Sequence, residues 1–354
     1  MKLSSVSLFS AAVGLASASP VHKRAGVTDA DILNYALTLE HLEAAFYEEG
    51  LKNYTHDDFT KAGMKDPFYS NLKMVAMDEQ THVQFLTQAL TAAGAQPVAK
   101  CNYSFPATDV KSFLALGSVL EGVGVSAYLG AAASIMNDTY LTAAGSILTV
   151  EARHSAYLRA ALGEAPSPQA FDDPLGLNEV YTVASPFIAS CPSSNQKLPV
   201  KAFPSLTMSS MTGSKVDLMA GPGFNMDNTT GLYAAFITVT GPIWAQLTPK
   251  GDGKFSATIP EGVSGQSYVV LTKGNSQATD DNIVAGPAIV EVATSTSSMG
   301  GGMNSTTSMT SSSPSMSMSG SATPTPTYNA APGMAPRSLV GVLAGFVGAM
   351  GLFL

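Results

Sequence analysis

The sequence is short of cysteine, of positive charge and of long apolar runs, and each shortage excludes something. Two cysteines in 354 residues, Cys101 and Cys191, allow one disulfide and no framework of several. Eighteen Lys and Arg against 26 Asp and Glu give a formal net charge of -8 and a pI near 5.1. That is the wrong sign for a nucleic-acid-binding surface, so no nucleic-acid partner is expected. The apolar runs at the two ends, Leu3 to Ala16 and Leu339 to Leu354, both stop short of the roughly 20 residues that a membrane-spanning helix needs. Histidine is scarce too, five in all, so its positions carry information.

The short terminal runs read as addresses. Met1-Lys2, the apolar run and Ala16-Ser17-Ala18 make a signal peptide over residues 1–18, and residues 19–24 a propeptide ending in the dibasic Lys23-Arg24. At the other end, the small and polar stretch Ser319 to Ser338 precedes the uncharged tail. This is the pattern of a glycosylphosphatidylinositol signal over 332–354, with Asn329-Ala330-Ala331 as attachment site; a plain transmembrane anchor is the alternative. Five sequons, at Asn53, Asn102, Asn137, Asn228 and Asn304, fit secretion. So does a Cys101–Cys191 disulfide. The expected location is the outer face of the plasma membrane or the cell wall, held by the lipid anchor.

Between the addresses the composition changes twice. Four helices are expected over 25–165. The first runs from Thr28, its cap, to about Glu49, with Gly50 after its end. A polar, aromatic loop from Lys52 to Lys65 follows. Asp66-Pro67 should open the second helix, as cap and first-turn proline, and Gly94 close it. The third runs from Thr108-Asp109 to about Met136, and the fourth from Asn137-Asp138 to Gly163. Gly117, Gly122, Gly124 and Gly130 in the third lower helix propensity, which close helix approach should offset. After a connector over 166–197, short alternating runs such as Tyr233 to Val239 and Tyr268 to Leu271 predict a small β-sandwich over 198–293. A Ser/Thr-rich stalk fills 294–331. The fold class is therefore α+β and multidomain, a four-helix bundle followed by a β-sandwich.

The chemistry lies in the bundle. Glu79-Gln-Thr-His82 and Glu151-Ala-Arg-His154 each place a Glu and a His one helical turn apart on one face. Glu40, Glu79, Glu121 and Glu151 each fall 12 or 13 residues from the start of their helix, about 18–20 Å along it. Four carboxylates meeting in one apolar layer need compensation, and a pair of divalent cations supplies it. Tyr47 and Tyr128 each follow a layer glutamate by seven residues, two turns, so each should lie on its glutamate's face and reach the site as a hydrogen-bond donor or a radical-prone phenol. Surface pairs are the alternative, but the flanks Met74, Val75, Phe85, Leu86, Ile147 and Leu148 are apolar.

Thr28 to Gly163 resembles the ferritin-like superfamily, ferritins and rubrerythrins, and in particular fungal secreted proteins of the late-sexual-development and stress-response type. The stretches Leu37-Thr-Leu-Glu40-His-Leu-Glu43-Ala-Ala-Phe-Tyr47 and Glu151-Ala-Arg-His154-Ser-Ala-Tyr-Leu-Arg159 carry the likeness. It implies a di-iron carboxylate bundle with metal ligands Glu40, Glu79, His82, Glu121, Glu151 and His154, and a crossover between the second and third helices. Thirteen residues between Gly94 and Thr108 can span over ~40 Å when extended. The chain departs from the family in two ways. It has no Cys-x-x-Cys pair, hence no rubredoxin-like module, and its extra domain, glycans and anchor would obstruct a ferritin cage. Glu43, one turn from Glu40, has three open roles, a movable extra ligand, a base beside the ligands or a charge at the rim, of which the second is preferred.

Two functions follow from this reading. One is an oxidoreductase using two metal ions, iron first and manganese second, with dioxygen or peroxide, as in a ferroxidase or peroxide scavenger. Tyr47, Tyr128 and Glu43 would then assist catalysis. The other is a non-catalytic metal-binding or structural protein of the cell surface.

Overall fold

The computed structural model describes residues 26–293 except residue 228. The signal peptide, propeptide, stalk, lipid-anchor signal and the sequons at Asn228 and Asn304 lie outside the described residues. Asn53, Asn102 and Asn137 are exposed.

The first helix, α1, spans Asp29–Asn53 and is capped reciprocally. Thr28 Oγ1 accepts from the Asp31 N–H, and Asp31 accepts from the Thr28 N–H at 3.0 Å. Gly50 does not end it. A Cβ there would lie 2.0 Å from the Phe113 ring, so this glycine marks a helix contact rather than a stop. Gly50→Ala is therefore expected to cost about 1–3 kcal/mol in chemical denaturation, as overpacking does. A six-residue helix, α2 (His56–Lys61), interrupts the expected loop and buries Phe59 under the bundle. Its single apolar residue gives no periodicity to read.

Helix α3 covers Phe68–Ala92 without the side-chain cap expected from Asp66. That carboxylate instead meets His56 Nε2 at 2.8 Å. Helix α4, Val110–Ala131, is capped by Asp109, and a 3-10 turn (132–134) replaces its expected last turn. Helix α5, Asp138–Leu162, is capped by Asn137 and ends at Gly163 in the left-handed region, φ +80°. Helices α1 and α3 form one hairpin, α4 and α5 the other. Asp29 at the start of α1 accepts from the Met136 and Asn137 N–H groups beyond the end of α4. Gly50 near the end of α1 meets Phe113 at the start of α4, so α1 and α4 are antiparallel.

The α4 glycines are contact points, but two of them meet segments outside the four long helices. A Cβ at Gly130 would lie 1.9 Å from the Leu175 carbonyl oxygen, one at Gly122 2.5 Å from Gln266 Nε2, and one at Gly124 2.8 Å from Glu43 Oε1. Three neighbours thus press on one helix. Gly130→Ala is expected to destabilise more than Gly50→Ala, because backbone rather than a side chain must yield.

The connector is more ordered than a loop. It holds α6 (Leu177–Ala184) and β2 (Ile188–Ser190). β2 pairs with β1 (Asn102–Tyr103) of the crossover, beside the Cys101–Cys191 disulfide. The β domain has seven antiparallel strands, β3 (Leu206–Thr212), β4 (Lys215–Ala220), β5 (Leu232–Phe236), β6 (Ile243–Gly251), β7 (Lys254–Thr258), β8 (Gly265–Lys273) and β9 (Ile283–Val292). They run in the order β3-β4-β7-β6-β5-β8-β9. The domain is barrel-like rather than a flat sandwich. β6 pairs with β5 through Ile243 to Gln246 and with β7 through Leu247 to Gly251, and the two outer strands β3 and β9 approach each other. Val216, Leu218, Phe236, Phe255, Val269 and Leu271 fill the interior. Several polar contacts tie this domain to the bundle, among them the following two. The Tyr268 hydroxyl donates to the Gly122 carbonyl at 3.0 Å, and Arg159 of α5 holds Glu291 of β9 through both guanidinium NH2 groups, at 2.8 and 2.7 Å.

Candidate metal centre

Each helix delivers one glutamate to the same level of the bundle interior, and Glu40, Glu79, Glu121 and Glu151 are all 0% exposed. His82 and His154, one turn beyond Glu79 and Glu151, are buried beside them. The His82 Nδ1 lies 3.2 Å from Glu40 and from Glu151, and 3.6 Å from Glu79. The His154 Nδ1 lies 2.9 Å from Glu79 and 3.4 Å from Glu121.

Two overlapping sets result, in each of which one donor atom per residue lies within 4.8 Å of the others. One is Glu40, Glu79, His82 and Glu151; the second is Glu79, Glu121, Glu151 and His154. Each has a glutamate and an imidazole of its own and shares Glu79 and Glu151. This is a pseudo-twofold arrangement of two overlapping donor sets.

The hydrogen bonding tests whether the residues fit cations. Both oxygens of Glu79 and Glu151, one oxygen each of Glu40 and Glu121, and the Nδ1 of both imidazoles have no hydrogen-bond partner. Among the described residues, just one other buried side-chain atom, Glu179 Oε1, is in that condition. Buried polar atoms without partners cost ~1–3 kcal/mol each, more when charged. Eight of them converging on one level are a donor set for cations. The remaining oxygens of Glu40 and Glu121 are satisfied, so these two offer one inward oxygen while the shared pair offer two.

The satisfying groups are the tyrosines, but crosswise. Tyr47 of α1 donates to Glu121 Oε1 of α4, and Tyr128 of α4 donates to Glu40 Oε1 of α1. Each tyrosine thus reaches the site as a hydrogen-bond donor, with the glutamate of the other helix as its partner. Side chains lean toward their own helix's N-terminus. Glu40 therefore leans away from Tyr47, while Glu121, on an antiparallel helix, leans toward it.

Residues 28–164 match the ferritin-like domain family. The matched stretch runs from the α1 cap to just past Gly163 and contains all six expected ligands. Protein rds1 of Schizosaccharomyces pombe is 26% identical over 188 residues, covering 53% of this chain and 46% of that protein. The matched part thus spans about half the length of that relative.

Two further residues attend this centre. Glu43 is buried against Gly124 and belongs to neither donor set. Burial, then the charges of Glu151, Glu79 and Glu40, push its carboxyl well above the usual range. Asp78 is the residue that sequence reasoning missed. Its Oδ2 lies 3.2 Å from His154 Nε2, which leaves Nδ1 to face the centre. The equivalent position on α5 is Val150, which carries no acceptor, so the two halves are not identical. His41 and His56 take no part: His41 faces the Val98 carbonyl at 3.2 Å and His56 faces Asp66.

Without cations, burial favours the protonated forms of carboxyl groups at this centre. Burial, then the Glu79 charge, raises Glu121 and Glu151. Burial opposes charging of His154, yet contacts with Glu121 and Glu79 outweigh it and carry its pKa up to about 11. All these folded-state pKa values lie above the unfolded ones. Their contribution to stability is complete at low pH and is lost as pH rises through the folded values. Metal-free protein is therefore expected to lose stability as pH rises above about 4.5, the carboxyl reference. Divalent cation should reverse that trend and release protons on binding, measurable with an indicator dye in weak buffer.

Proposed function

We propose that the ferritin-like domain holds two divalent cations, iron in preference to manganese, and that the protein is an oxidoreductase using dioxygen or peroxide at the cell surface. The observation that carries this is the convergence of eight unpartnered donor atoms on one buried level. A carboxylate-rich set with one imidazole per ion suits these metals and leaves coordination positions for an oxygen ligand. When bound, the pair of ions supplies two electrons, one from each.

The chain's own residues do the rest. Glu79 and Glu151, which belong to both donor sets and have both oxygens unpartnered, would help to hold either ion. Glu40 and Glu121 each offer one oxygen, oriented by a tyrosine hydroxyl on the other. Tyr128 Oη and Tyr47 Oη keep a proton directed at those carboxylates. Glu43, neutral and adjacent, is a proton store beside Glu151. The disulfide and the address segments at both ends support an extracellular, lipid-anchored location. The domain limits read from the sequence (25–165, 198–293) are part of the same proposal.

Metal content by mass spectrometry, combined with oxygen and peroxide consumption on wild type and Glu151→Ala, tests it. Turnover that needs metal and is lost in the variant is the expected result. Stoichiometric metal without turnover would favour a non-catalytic surface protein, and no metal in the wild type would sink both.

A further inference from the structure

The two tyrosines serve equivalent carboxylates in unlike surroundings. Tyr47 is 1% exposed and sealed by aromatic rings, with Phe46 at 5.3 Å and Phe113 at 6.3 Å between centroids. Tyr128 is half-buried and lines a small, partly open apolar cavity of about 30 Å³ between the helices. All four long helices wall this cavity, among them Ala36 and Leu39 of α1, Phe85 and Ala89 of α3, Ala131 of α4 and Ala144 of α5. Ala36 precedes Glu40 by one turn and Phe85 follows His82 by three residues. The cavity therefore begins about 6 Å along the helices from the ligand level, on the side of the Glu40–His82 set.

Its size and lining select what it can hold. A water needs roughly 10–15 Å³ and two to four polar partners. Here there is room for a molecule or two of that size, but the walls are alkyl and aromatic, and the Tyr128 hydroxyl is already committed to Glu40. Hydrogen peroxide, like water, would lose its hydrogen bonds on entry. A small apolar gas loses nothing, and dry apolar cavities take up such molecules.

We infer that this cavity is a binding site for dioxygen, through which the gas reaches the Glu40–His82 half of the centre beside Tyr128. Its use rests on the redox reading above; its affinity for gas does not. The choice of dioxygen over peroxide deepens that reading.

Xenon, an apolar probe of similar size, tests the site in crystals of metal-free protein under pressure. Xenon is expected between Ala36, Ala144 and Tyr128 in the wild type and absent from Ala144→Phe. In the metal-loaded protein, Ala144→Phe should raise the KM for dioxygen several-fold while metal content and peroxide-driven turnover stay at wild-type values. Ala143→Leu fills the same wall should the larger side chain impair folding. A wild-type cavity free of xenon overturns the inference, and so does an unchanged KM for dioxygen in a filled variant. Should the loaded protein show no turnover with either oxidant, the redox reading fails, and the xenon result alone retains or overturns the gas site.

Discussion

Glu151→Ala is expected to empty both cation positions, whereas Glu40→Ala should empty one. The difference follows from sharing: Glu151 belongs to both donor sets, Glu40 to one. Metal per chain, counted by mass spectrometry, should fall from two toward none in the first variant and toward one in the second. Stability gives an independent readout. A ligand at a thousandfold excess over Kd stabilises by about 4 kcal/mol per site. At ~2–4 °C per kcal/mol for a chain of this size, that is of order 10 °C per site. Glu151→Ala should abolish the rise in Tm on loading. Its metal-free Tm should move far less, because two effects oppose. Removing Glu151 relieves Glu43, Glu79 and Glu40 of a buried like charge, yet it leaves a void and takes a partner from His82. A loading-dependent Tm that survives in Glu151→Ala would contradict a shared ligand.

What the sequence made legible was whatever depends on one helix alone. The period of 3.6 residues sets Glu40, Glu79, Glu121 and Glu151 at one height once the caps at Thr28, Asp109 and Asn137 are recognised, and Gly163 ends α5 by its own backbone preference. The crossed tyrosines were not legible, because their partners depend on α1 and α4 being antiparallel and in contact. Gly50 looked like a stop because the Phe113 ring that requires it comes from another helix. Asp78 is one carboxylate on a helix surface, and nothing local says that an imidazole from α5 arrives beside it. In the β domain, β3 reads Leu-Thr-Met-Ser-Ser-Met-Thr with Leu206 alone buried, so it shows no alternation to detect. Barrel closure depends on β3 meeting β9, some 80 residues away in sequence, which no local pattern encodes.

The double variant Cys101→Ser/Cys191→Ser should lose about 4–5 kcal/mol of stability while keeping its metal. The bond closes a loop across a sequence separation of 90, and the chain-entropy model assigns a closure of that length about 4.6 kcal/mol, exerted on the unfolded chain. The folded crossover has other ties. Asn195 exchanges two hydrogen bonds with Ala99, both at 2.8 Å. Asn34 of α1 donates to the Gln96 carbonyl and accepts from the Val98 N–H. Strands β1 and β2 pair next to the bond. These contacts fix the segment between α3 and α4 in the folded state, so the positions of Glu79, His82 and Glu121 should survive loss of the bond. Chemical denaturation would therefore show a lower midpoint with an altered slope, because an unfolded chain without the closure exposes more surface, and metal stoichiometry would stay at two. If the variant instead loses metal at full folding, the disulfide sets the register of the two helical hairpins, and the stability loss is then a property of the native state rather than of the unfolded chain.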